Sequence, residues 1–134
     1  MAEEVLVKEA ISSEMISAGA ELADSLNKSQ RPFDALLWLY LPEMNAWRFV
    51  VGSPEVKTSG PRGIYQAIRT VVTNIPGGKP IVPVDDIVVV DSNDRLISLL
   101  RRAIKTGQGL TGIRFTRNVI NGVLIDDAYI YKLA

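Results

Sequence analysis

The chain has 134 residues, 47% of them hydrophobic and 22% charged, with fifteen basic side chains balancing fifteen acidic ones. That length suits one globular domain, expected over residues 1–134, with a core large enough to need no staples. Neither His nor Cys occurs, which excludes disulfides, thiolate nucleophiles, His- or Cys-ligated metals and the Ser-His-Asp scheme.

A neutral net charge gives no global attraction to nucleic acid or anionic lipid. Combined with a slightly positive mean hydropathy, it favours self-association, so a homodimer is expected. Met1-Ala2-Glu3-Glu4 lacks the basic start of a secretory signal. The longest strongly apolar run, Ala35 to Leu41, is far too short for a membrane-spanning helix. A cytoplasmic location without a membrane partner is the resulting expectation.

Residues 9 to 27 predict a helix, with Ile11, Met15, Ala18, Gly19, Leu22 and Leu26 in one stripe. Phe33 to Leu41 predicts a strand that is apolar on both faces, so it belongs inside the sheet with a cover on each side. Pro42 to Asn45 turns the chain, and Ala46 to Val51 returns as its partner, with Trp47, Phe49 and Val51 on one face and Arg48 on the other. Gly52-Ser53-Pro54 stops that strand. Pro61 opens a second helix, with Ile64, Ile68, Val71, Val72 and Ile75 as its stripe.

Pro76-Gly77-Gly78-Lys79-Pro80 reads as an exposed turn; it ends a helix and lacks the Gly-Lys-Ser/Thr of a phosphate loop. Asp86 to Val90 predicts a short buried strand. Ser92 is the expected N-cap of a third helix, whose stripe is Leu96, Leu99, Leu100, Ala103 and Ile104 and whose αL cap is Gly107. Asn121-Gly122 predicts a type I′ hairpin. Its register sets Val119 against Leu124, Arg117 against Asp126, Phe115 against Ala128 and Ile113 against Ile130. The fold class is therefore α+β: a mainly antiparallel sheet, in chain order α-β-β-α-β-α-β-β, packed with three helices.

Asp34 followed by Glu55-Val56-Lys57 resembles the spacing of PD-(D/E)XK nucleases. That resemblance implies a Mg²⁺ held by Asp34 and Glu55, with Lys57 orienting the attacking water, and Glu21 and Gln66 on flanking helices. Gly52-Ser53-Pro54 opposes it by carrying Glu55 and Lys57 beyond the strand. The basic set Arg95, Arg101, Arg102, Lys105, Arg114 and Arg117 suggests phosphate contacts. The stronger expectation is that cations sit at a helix C-terminus because of its dipole, and no aromatics interleave them on that helix for stacking on bases. The doublets Asp85-Asp86 and Asp126-Asp127 have no EF-hand spacing. Tyr65, Tyr129 and Tyr131 suit interface positions better than proton donation.

Leu37-Trp38-Leu39-Tyr40, Trp47-Arg48-Phe49-Val50, Ser53-Pro54 and Gly60-Pro61 with Tyr65 are similar to a group of small bacterial proteins sharing a Trp-Arg-x-Val…Ser/Thr-Pro…Gly-Pro-x-x-x-Tyr pattern. The group carries no assigned activity, and Lys57 departs from the acidic residue often found near that position. The expected role is a non-enzymatic accessory or protein-interaction module without a cofactor. Its expected binding surface is Trp47, Arg48, Lys57, Arg62 and Tyr65. The alternative is a divergent Mg²⁺-dependent nuclease using Asp34, Glu55 and Lys57.

Overall fold

Seven consecutive apolar residues, Ala35–Leu41, form β1, the middle strand of a five-stranded sheet. The computed structural model describes residues 9–77 and 79–134; Met1 to Glu4 and Gly78, singled out above, lie outside the described residues. The other strands are β2 (Ala46–Ser53), β3 (Ile87–Asp91), β4 (Ile113–Ile120) and β5 (Val123–Leu133), in the spatial order β3-β2-β1-β5-β4. β1 pairs antiparallel with β2 and β5, and β4 antiparallel with β5, while β3 lies parallel to β2. The fold is α+β, one mixed sheet packed against helices.

Both faces of β1 are buried because each has its own cover. Leu36, Trp38 and Tyr40 join Phe49 and Val51 against α1 (Ser13–Lys28) and α3 (Pro61–Thr73). Ala35, Leu37 and Leu39 join Val50 and Ile130 against α4 (Arg95–Ala103). Trp38 and Phe49 meet edge to face, centroids 5.3 Å apart, an arrangement that stabilises by about 0.5–1.5 kcal/mol beyond area burial.

A fourth helix, α2 (Glu55–Ser59), adds to the expected three. It fills the interval before Gly60, whose φ of 76° lets the chain turn into α3 at Pro61. β3 is an edge strand, half-buried over most of its length instead of buried. Its parallel pairing follows from the helical crossover that joins it to β2. The N-cap of α4 is Asp94, whose carboxylate accepts from the Leu96 N–H at 3.0 Å; Ser92 lies two residues outside. The helix ends in extended Ile104, so Gly107, although at φ 75°, does not cap it.

The hairpin turn holds Asn121 and Gly122 at φ 49° and 77°, the two positive values a type I′ turn needs. Val119, Phe115 and Ile113 meet their expected partners. Arg117, at φ 45°, drops out of the ladder while its neighbours keep register. A cross-strand ion pair on this hairpin joins Arg114 to Asp127, with two hydrogen bonds of 2.6 and 2.5 Å.

Candidate functional site

Asp34 and Glu55 each face a different arginine, and Lys57 is exposed. β2 ends at Ser53, whose buried hydroxyl donates to the Pro32 carbonyl at 2.8 Å and accepts from the Glu55 N–H at 3.2 Å. That local turn seats Glu55 at the start of α2, where its carboxylate accepts from Arg31 Nη1 at 2.6 Å. Asp34 is fixed by its backbone, donating to the Gly52 carbonyl and accepting from the Ala134 N–H. Its carboxylate faces Arg101 Nη2 of α4 at 3.5 Å. Lys57 is exposed on α2. Each carboxylate of the nuclease-like spacing thus has a guanidinium partner of its own.

The expected surface is reshaped by burial. Trp47 is 4% exposed and packs with the core, and its indole N–H donates to the Glu9 carbonyl at 2.7 Å. Arg48 donates to the Trp47 carbonyl and lies 3.5 Å from Asp86. The Tyr65 hydroxyl accepts from the Val89 N–H at 3.1 Å and ties α3 to β3. Two open depressions divide the expected surface: one of about 410 Å³ takes Trp47 and Arg48 into its lining with Asp86, and a shallow groove of about 420 Å³ runs along α3, lined by Pro61, Arg62, Tyr65, Gln66 and Arg69. Lys57 lies outside its lining.

The basic set divides in the same way. Arg101 turns inward, donating to the Ser92 carbonyl at 2.8 Å. Arg114 engages Asp127, which raises its pKa by hydrogen bonding. Arg95, Arg102, Lys105 and Arg117 are exposed. In the acidic doublets, Asp86 faces Arg48 and Asp127 is buried against Arg114, while Asp85 is exposed.

Sequence reasoning missed the pocket at the end of the sheet. It has a volume of about 530 Å³, and Asn27, Arg31, Phe33, Asp34, Gln108 and Lys132 line it. Lys132 is only 5% exposed, and its ammonium donates to Asn27 Oδ1 at 2.8 Å. Burial lowers its pKa below the usual lysine value, and the nearby Asp34 charge opposes that shift. The signal was a lone lysine inside Ala128-Tyr129-Ile130-Tyr131-Lys132-Leu133, a position at which alternation gives no solvent face. Comparison with family models, with curated proteins and with solved structures found no match to this chain.

Proposed function

We propose that this chain is a non-enzymatic binding module that recognises an acidic segment of a partner protein along the α3 groove. The observation that carries the reading is the pairing of Arg62 and Arg69 in one groove that, among the described residues, no carboxylate lines. Seven residues apart on a helix, they stand two turns, or roughly 10 Å, from each other. Between them lies Tyr65, held by its hydrogen bond to β3. Two carboxylates on an extended or helical segment can meet both cations, and the Tyr65 ring offers apolar contact between them.

The arginine partners of Asp34 and Glu55 support binding over hydrolysis, since a Mg²⁺ there would have to displace both. We take the module to act in the cytoplasm of a bacterial cell as a homodimer. In support of a dimer, β4 is a terminal strand of the sheet, and Val119 and Leu124 of its hairpin are 66% and 58% exposed. Sedimentation at micromolar concentration should give twice the chain mass, and a smaller species for Val119→Lys with Leu124→Lys.

The groove is tested with a fluorescent hexaglutamate peptide followed by anisotropy. Binding should be saturable, weaken as salt rises, and fall at least tenfold in Arg62→Glu with Arg69→Glu. Affinity unchanged in that double variant, or tighter binding of a single-stranded oligonucleotide than of the peptide, would contradict the assignment.

A further inference from the structure

The pocket at the end of the sheet shares no lining residue with the α3 groove, and its charged lining residues Arg31, Asp34 and Lys132 form an unbalanced set with the ion-pair partners Glu55 and Arg101. Arg31, Arg101 and Lys132 meet two carboxylates, Glu55 and Asp34. Arg31 is matched by Glu55 at 2.6 Å, and Arg101 faces Asp34 at 3.5 Å. Lys132 hydrogen-bonds a neutral partner, the Asn27 carbonyl oxygen, and shares the nearby Asp34 charge with Arg101. Of these five side chains, one positive charge is therefore uncompensated, and Lys132 is the most deeply buried cation.

An ammonium carries three N–H donors, and among the described residues Lys132 sends one of them to a protein acceptor, Asn27 Oδ1. Burying a cation without a counter-ion is costly, and an anion that supplies both charge and acceptors removes that cost. The Asn27 amide, oriented by its own bond to Lys132, keeps its N–H₂ as a further donor. Phe33, 3% exposed, gives the pocket an apolar wall, and Gln108 stands exposed at its mouth.

We propose that this pocket binds a small organic carboxylate, with the carboxylate oxygens on Lys132 and the Asn27 amide and the aliphatic part against Phe33. The volume of about 530 Å³ suits a metabolite-sized ligand, within the roughly 300–1,000 Å³ usual for such sites. Asp34 lines the same pocket, and Glu55 holds Arg31 at its edge. They reject a second negative charge, so a monocarboxylate is favoured over a phosphate dianion.

The test is a titration with propionate, and separately with inorganic phosphate, following the Asn27 side-chain amide and the Lys132 ε-carbon by NMR. Propionate should give saturable shifts at both positions. Lys132→Met, which keeps the apolar stem, should abolish the shift at the Asn27 amide with the circular dichroism spectrum unchanged. Asn27→Asp supplies a resident carboxylate beside the ammonium and should abolish propionate binding while raising the Lys132 pKa. That second variant decides the matter if the first fails to fold. Shifts that stay linear in propionate, that persist in Asn27→Asp, or that saturate with phosphate and not with propionate would overturn the proposal.

Discussion

Gly19 of α1 lies so close to Tyr131 of β5 that the helix has room there for a hydrogen and nothing more. A Cβ on Gly19 would sit 2.5 Å from Trp38 Nε1 and closer still to the Tyr131 hydroxyl. That proximity lets Trp38 donate to the Met15 carbonyl at 2.9 Å and Tyr131 to the Ile16 carbonyl at 2.7 Å. Burial at this contact also pushes the Tyr131 pKa up.

Gly19→Ala should therefore destabilise the protein, although Ala favours a helix interior over Gly by about 1 kcal/mol. Overpacking a closed core typically costs about 1–3 kcal/mol, and here both clashing atoms are already committed to hydrogen bonds. Urea unfolding checks the sign. A variant as stable as the parent would mean that α1 can retreat from the sheet without loss.

The start of α4 separates two residues of similar capping chemistry. Asp94→Ala removes the acceptor for the Leu96 N–H and should cost about 1 kcal/mol. Ser92→Ala should be neutral or mildly stabilising, because the buried Ser92 Oγ has no hydrogen-bond partner among the described residues. Thermal midpoints of the two variants decide between the caps, and the reverse order would restore Ser92 to that role.

That pair also shows where sequence reading stops. Ser92 and Asp94 are two residues apart and both favour caps, and the choice depends on where Ile97 and Leu100 dock on the sheet. Features fixed by local backbone chemistry were legible: Asn121-Gly122 at the hairpin, Pro61 at the start of α3, and the two-faced burial of β1. Features fixed by distant partners were not. β3 has five residues and no hairpin to set its register, so its parallel alignment with β2 comes only with the crossover. Alternation placed Trp47 opposite Arg48 correctly, but it does not say which face the helices cover. The site was less legible still, because Lys132 and Asn27 are 105 residues apart in sequence.

Lys132 gives a pH signature. Its folded-state pKa lies below the usual 10.5, so below that folded value both states carry the proton and the folded state bears the full cost of the buried charge. Between the folded value and 10.5, the unfolded chain holds a proton that the folded chain has released, and stability rises with pH. Lys132→Met should therefore stabilise most at neutral pH, with the gain shrinking as pH climbs toward 10.5. Paired denaturant curves across that range check this, and a gain independent of pH would show that the ammonium is solvated in the folded state.

Asp34 and Glu55 are each opposed by an arginine of their own, Arg101 at 3.5 Å and Arg31 at 2.6 Å, and that separation stands against a shared ion. Titrating Mg²⁺ into the protein while following the backbone amides of Asp34 and Glu55 by NMR tests this most directly. The account predicts no change at either residue beyond that produced by NaCl at matched ionic strength. Saturable shifts at both amides, lost together in Asp34→Asn, would contradict it and restore the nuclease reading.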